Sequence, residues 1–370
     1  MKTWRIGIAS VALAIAAAPV HAHHRQSPPI GAITTSGDTA IPRVPAPGAR
    51  IAVVMPDVDG HPMVFRKDWN TSFERLTTQG DNANPTIATN GTIVAWDSDC
   101  SLIGCVDPGR QIFLWVNGIL TQVTHDPTGT SVNPALTARG SRLGFESRGD
   151  LGGTGNTTRQ VFVRSKDGLI TQVSQGAGSS ANISLDRTGL NMVFDSTSDP
   201  GGADSGIAQI WFQPRGGIPT RLTTGQAASR SPAISHEGRV IAFESRAALT
   251  GDGHAMTVSQ IFAYEVVTQQ LTQITNDAQG CSGASVMRIS RDTRVAYVCH
   301  GEGFFHLMTA NQSYHLPIVG GDTAQAVATL GTHFMMVSTT ADLLGTPGGT
   351  TAGHQLYALN LFKLAADPIP

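Results

Sequence analysis

Four carboxylates occupy matched places along the chain. Asp97, Glu146, Asp195 and Glu244 each follow an aromatic residue, and those aromatics (Trp96, Phe145, Phe194 and Phe243) stand 49 residues apart. A set of acids repeated in this way offers hard oxygen ligands to a cation. A carboxylate at a strand end also accepts hydrogen bonds from the backbone donors of the loop that follows it. That need recurs in every repeat, and it is the simpler reading. A second group, Asp99, Asp150, Asp199, Asp204 and Asp252, falls in Gly-rich loops, with His254 and His354 in equivalent loops. These seven are the candidate binding residues. Calcium is the cofactor their oxygens invite, but no loop has the ordered ligand spacing of a calcium motif. No cofactor is therefore expected, and no metal ligand is assigned.

His125, His254, His300 and His354 invite a metal or acid–base reading, because imidazole is both a ligand and a near-neutral base. They come from different repeats and need not converge, so isolated exposed histidines are the expectation. The four cysteines form two local pairs, Cys100 with Cys105 and Cys281 with Cys299. An even set of this kind suits disulfides in an oxidising compartment. The chain has no Gly-x-Ser-x-Gly elbow, no His-Glu-x-x-His and no phosphate-binding Gly-rich motif with Lys. No catalytic residue is singled out.

What must position these residues is a repeat. Its second strand recurs six times, as Ile93-Val94-Ala95-Trp96-Asp97-Ser98, Leu143-Gly144-Phe145-Glu146-Ser147, Met192-Val193-Phe194-Asp195-Ser196, Ile241-Ala242-Phe243-Glu244-Ser245, Val295-Ala296-Tyr297-Val298-Cys299 and Phe334-Met335-Met336-Val337-Ser338. Eleven residues before the first four aromatics, Pro85, Pro134, Ile183 and Pro232 open a preceding strand. That strand ends in turns such as Thr89-Asn90-Gly91, which allow tight antiparallel connection. Third strands open with Gln111, Gln160, Gln209, Gln260 and Gln355. Short fourth strands follow in the first five repeats, as in Gln122-Val123-Thr124. Arg75-Leu76-Thr77 resembles those fourth strands, so an N-terminal strand here is expected to complete the last blade and close the ring without free edges. The expectation is an all-β, six-bladed propeller of four-stranded blades. Ile51 to Met55 and Met63 to Lys67 look like two further strands and leave a seven-bladed alternative open.

The stretch Ser231-Pro232-Ala233-Ile234-Ser235-His236-Glu237-Gly238-Arg239-Val240-Ile241-Ala242-Phe243-Glu244-Ser245 resembles the repeat of TolB-like, WD40-like bacterial propellers, and the resemblance covers most of residues 75 to 361. It implies the propeller fold and points to envelope proteins as the nearest partners. It implies no particular activity, because such repeats serve many functions. The TolB family also carries an N-terminal α/β domain, whose place here is taken by a Pro/Gly-rich stretch.

In a propeller the second-to-third and fourth-to-first connections emerge on one face. Here those are the long ones, 97–109, 149–158, 199–206, 249–258 and 342–353. Long loops on a rigid scaffold are where binding usually resides. Ahead of the repeats, Lys2 and Arg5 flank an uncharged run ending near Val20-His21-Ala22, so residues 1–22 read as a secretory signal peptide. That run is too short to span a bilayer, and no second candidate follows. Residues 23–50 read as a disordered Pro/Gly-rich linker and 51–366 as the propeller. Charged residues are 14% of the chain and the net charge is -2, which leaves no electrostatic footprint for nucleic acid. The chain is thus expected to be a periplasmic or secreted monomer without stable membrane insertion. It would be a non-catalytic binding module for a protein or peptide partner of the cell envelope. The alternative is a propeller lyase or hydrolase acting on extracellular polysaccharide, with or without a metal's help.

Overall fold

Each repeat alternates side chains across a strand, and the faces so made belong to different neighbours. A computed structural model describes residues 30–32, 50–68, 71–99, 102–104, 107, 109–126, 130–155, 158–250, 257–289, 292–316, 318, 323–327, 334–341, 350–360 and 367–368. Its strands form seven antiparallel sheets in chain order, with strands a to d running from the innermost outwards. Sheet 2 comprises Asn82–Ile87, Ile93–Ser98, Gln111–Val116 and Ile119–Gln122. Sheet 3 comprises Ser131–Leu136, Arg142–Ser147, Gln160–Ser165 and Ile170–Gln172. Sheet 4 comprises Ser180–Leu185, Met192–Ser198, Asp204–Gln213 and Thr220–Arg221. Sheet 5 comprises Ser229–Ile234, Val240–Ser245, Gln260–Glu265 and Gln270–Gln273. Sheet 6 comprises Cys281–Ile289, Asp292–Cys299, Glu302–Leu307 and Gln312–His315, with Asp367–Pro368 added at its edge.

Sheet 7 has Thr323–Val327, Phe334–Ala341 and Thr350–Asn360, and its fourth strand is Ile30–Ala32 from the other end of the chain. Six sheets therefore carry four radial strands each, and an N-terminal strand completes the last of them, as the repeat predicts. The identity of that strand differs from expectation. Glu74–Arg75 pairs with Pro62–Asp68 instead, and with Arg50–Pro56 these make the three-stranded sheet 1. The reason is proximity in sequence: a neighbouring hairpin strand reaches the free edge first, and closure falls to the segment upstream of it. The two additional strands that the sequence places ahead of Arg75 are thus formed, and Ile30–Ala32 is a strand within the stretch expected to be linker.

The a strands begin three residues before the positions expected. In sheets 2 to 5 the residues Asn84-Pro85, Asn133-Pro134, Asn182-Ile183 and Ser231-Pro232 form a bulge, two residues facing one across the pair. A proline is tolerated there because the bulge leaves its missing N–H unneeded. The residue before it takes a positive φ, 50° at Asn84, 56° at Asn133, 55° at Asn182 and 54° at Ser231. Asparagine adopts that conformation more readily than most residues. The following a–b hairpins turn on glycines with φ of 71° at Gly91, 65° at Gly140, 67° at Gly189 and 70° at Gly238.

The core lies between sheets. In sheet 3, Phe145 stacks on Phe162 with ring centroids 5.7 Å apart, and both pack against Ala95, Ile112 and Leu114 of sheet 2. Equivalent pairs are Trp96 with Phe113, Phe194 with Trp211, Phe243 with Phe262 and Tyr297 with Phe304. The aromatic of each b strand thus faces the preceding sheet, and alternation turns the next residue, the acid, toward the following one. Each fully buried Phe contributes roughly 2–3 kcal/mol by leaving water.

A second repeated device fixes the outer strands. Gln111, Gln160 and Gln260 are buried at the head of strand c, and Gln209 is buried at the matching place within the longer strand of sheet 4. Each accepts a hydroxyl hydrogen bond, from Thr124, Ser174, Thr223 and Thr275, at 2.6 to 2.8 Å. The same glutamines donate to loop carbonyls such as Asp126 and Gly225. In sheet 1 Thr77 takes the hydroxyl role, donating to Met63 Sδ where the others meet a glutamine. Sheet 1 is therefore built on the same plan.

Candidate functional site

The four recurring acids come together as a belt just below the long-loop face, and its partners are architectural. Asp97 accepts from Asn84 Nδ2 of its own sheet at 2.8 Å and from the backbone N–H of Asn133, on the next sheet, at 3.1 Å. Glu146 accepts from Asn133 Nδ2 at 3.2 Å and from the N–H of Asn182 at 2.7 Å. Asp195 accepts from Asn182 Nδ2 at 2.8 Å and from the N–H of Ser231 at 2.9 Å. Glu244 accepts from the N–H of Gly283 at 2.8 Å. Each acid thus ties the bulge of the following sheet to its own. The donors differ from those expected, because the bulge turns an otherwise inward N–H toward the neighbouring sheet rather than leaving the job to the loop.

Charge compensation divides the belt. Arg110 Nε donates to Asp97 at 2.6 Å, and the same guanidinium reaches Asp81 at 2.7 Å. Arg159 lies 3.2 Å from Glu146. Both arginines immediately precede the glutamine of strand c. At that place sheets 4 and 5 have Ala208 and Ser259. Asp195 is 3% exposed, and burial pushes its carboxyl up to about 6 despite its hydrogen bonds and the charge of Arg230. Burial also raises Glu244, against the pull of the Gly283 N–H, and the charge of Asp195 adds to the rise. At the joints between sheets 1 and 2 and between sheets 6 and 7, the acid position holds Val54 and Val298.

The loop aspartates are engaged one by one. Asp99 accepts the N–H of Asp81, Asp150 those of Thr154 and Gly155, and Asp199 that of Ala203. Asp204 lies at the start of a c strand rather than in the loop before it. A side-chain hydrogen bond with Thr197 and the Gly206 N–H hold its carboxyl low. These four are spread over sheets 2, 3 and 4, with Asp199 and Asp204 both on sheet 4, and each is engaged with backbone close by. Asp252 and His254 lie outside the described residues, as do Cys100 and Cys105. His354 falls on the strand Thr350–Asn360, which begins inside the expected loop.

Of the other histidines, His125 pairs with Asp107 at 3.5 Å, and His300, in the b–c turn of sheet 6, contacts Asp277 in the connection from sheet 5. The His300 contact and the Gln279 and Gly280 N–H groups outweigh burial and lower the Asp277 carboxyl. Among the described residues, the one trio whose ligand atoms lie within 4.8 Å of one another is Asp57, Asp59 and His61, in the b–c turn of sheet 1. It is exposed, and Asp57 already accepts the N–H groups of Asp59 and His61 and faces Arg75. The spacing Asp-x-Asp-x-His was visible in the sequence but lies ahead of the repeats that drew attention.

The Cys281–Cys299 disulfide is formed, with Cα atoms 4.3 Å apart across strands a and b of sheet 6. It stands where sheets 3, 4 and 5 have Ser131 with Ser147, Ser180 with Ser196 and Ser229 with Ser245, hydroxyls 2.8 to 2.9 Å apart. A covalent bond thus replaces a hydrogen bond at the same register.

No family model matches the sequence, and no curated protein does. Solved structures do match. An oligogalacturonate lyase from Vibrio parahaemolyticus is 10% identical, with 90% of this chain and 93% of that one covered, at a TM-score of 0.61. The β-propeller domain of the Trilobed protease from Pyrococcus furiosus is 9% identical, with 87% and 95% covered, at 0.57. A TolB from Agrobacterium tumefaciens, described as putative, is 16% identical, with 64% and 79% covered, at 0.46. The first two likenesses show the fold, a β-propeller. Among the described residues no helix is long and apolar enough to cross a membrane.

Proposed function

We propose that this β-propeller is an exported, non-catalytic binding module that presents the long b–c and d–a loops of one face to a protein or peptide partner of the cell envelope. The observation that supports this most is the employment of the acids. The described residues best suited to chemistry by type and repetition are used to fasten sheets and shape turns, and a scaffold carrying long loops remains. Long loops on a rigid scaffold are where recognition usually resides. Export agrees with the oxidised Cys281–Cys299 pair, because disulfides persist outside the reducing cytosol. The TolB-like repeat of the sequence favours the envelope as the place of action.

The test is a hydrogen-exchange footprint of the mature protein bound to a partner captured from envelope extract. Protection is expected in 97–104, 149–155 and 199–206 and not in the a–b and c–d turns. Protection confined to those turns would refute the reading.

A second reading is a propeller lyase acting on an acidic polysaccharide. It is favoured by the likeness in fold to an oligogalacturonate lyase, aligned over 90% of this chain at a TM-score of 0.61. Incubation with oligogalacturonate, with and without divalent metal, separates the two. New unsaturated product would establish the lyase, and its absence under both conditions would leave the binding module.

A further inference from the structure

We propose that Asp195 and Glu244 form a pH-responsive fastening, which holds sheets 4, 5 and 6 together when protonated and slackens as the pair ionises. The geometry carries the argument. Asp195 bridges two sheets through Asn182 Nδ2 and the Ser231 N–H, and Glu244 reaches the Gly283 N–H of sheet 6. Both occupy the place that in sheets 2 and 3 is served by a guanidinium, from Arg110 and Arg159, and both lack one because Ala208 and Ser259 stand there. Around Asp195, sheet 3 contributes the charge of Glu146, sheet 5 contributes Arg230 and Glu244, and its own sheet contributes the neutral Asn182. Ionising Asp195 therefore places a buried charge between two other carboxylates, of which Glu146 has Arg159, while Asp195 itself has the exposed Arg230 nearby. In low dielectric that cost falls on the joint.

The sign follows from the carboxyl of Asp195, which sits near 6 when folded against an ordinary 3.8. Between about pH 4 and 6 the closed joint holds a proton that an opened one releases. Stabilisation is thus complete below about pH 4 and is lost as pH rises toward 6. The neutral acid keeps an acceptor oxygen for Ser231, so the fastening is strongest in mild acid.

The experiment is NMR-detected hydrogen exchange of single amides in the intact protein from pH 4.5 to 7, each rate divided by its intrinsic value. Protection of Ser231 should fall roughly tenfold or more across this range, and that of Gly283 should fall with it. Asp195→Asn should flatten the Ser231 profile. Arg159→Ala leaves Glu146 without its cation, and the same dependence should then appear at Asn182. A flat Ser231 profile in the wild type, or an unchanged slope in Asp195→Asn, would overturn the proposal. If Asp195→Asn fails to fold, Arg159→Ala decides: no new dependence at Asn182 would overturn it equally.

Discussion

The carboxylate of Glu146 accepts the backbone N–H of Asn182 across a sheet boundary at 2.7 Å, in the tightest of the four acid-to-bulge contacts that join sheets 2 to 6. A side chain expected to accept from the loop that follows it is thus a structural acceptor for the next repeat. The same carboxylate holds Asn133 Nδ2 and Arg159, so three donors depend on it.

Glu146→Ala should therefore be costly. It strands a buried amide and a guanidinium, and a loss of about 3 kcal/mol is expected. Val298→Ala, at the equivalent place of a joint that has no acid, should cost about 1 kcal/mol from lost packing alone. Denaturant melts of both variants check the contrast. Equal costs would show that the acid is not a fastening.

The disulfide of sheet 6 should stabilise chiefly through the unfolded chain. Its cysteines are 18 residues apart, for which loop entropy gives about 3 kcal/mol. Cys281→Ser with Cys299→Ser recreates the serine pair of sheets 3 to 5, so the variant should fold with a midpoint lowered accordingly. Its melt against the oxidised wild type is the measurement.

His306 supplies an opposing pH dependence. Burial holds its imidazole below the ordinary 6.5. The unfolded chain then takes up a proton near pH 6.5 that the folded one refuses. Stability should fall as pH drops through 6.5 and below. Replacement by Phe, which cannot be protonated, should remove this loss and leave the opposite slope of Asp195, so that denaturant midpoints rise as pH drops from 7 to 5.5. A slope equal to the wild type would remove His306 as the cause.

Closure of the ring rests on Ile30–Ala32, which pairs with Tyr357 to Leu359. Removing residues through Ala32 should leave the edge of sheet 7 open and lower the melting temperature by roughly 3 °C per kcal/mol lost. The comparison is with a mature chain that retains Ile30. Identical melts would mean that the strand does not close the ring.

The repeat was legible because its aromatics recur at one spacing and each must fill the gap to the preceding sheet. The strand closing the ring was not, since Ile30-Gly31-Ala32 carries no residue type peculiar to an edge strand, whereas Arg75-Leu76-Thr77 matches its homologues closely. The belt was half legible. Asp97, Glu146, Asp195 and Glu244 were recognised as a set, but their donors lie 36 to 39 residues further on and become neighbours only when the sheets pack. One signal was present, an asparagine immediately before proline at Asn84-Pro85 and again at Asn133-Pro134. Asp99, Asp150 and Asp199 hold backbone N–H groups close by, and residue type alone does not distinguish such an acceptor from a ligand.

The most direct test of the central claim is affinity for an envelope partner, measured for two multiple variants that differ only in the face they alter. One carries Val58→Asp, Ile103→Asp, Thr154→Arg and Pro200→Arg, all exposed in the b–c connections of sheets 1 to 4. The other carries Ile119→Asp, Leu169→Asp and Ile218→Asp, all exposed at the c–d turns of the opposite face. The first should weaken binding by about tenfold or more, equivalent to the loss of roughly 1.4 kcal/mol, and the second should match the wild type. Weakening by the second variant with the first unaffected would contradict the account.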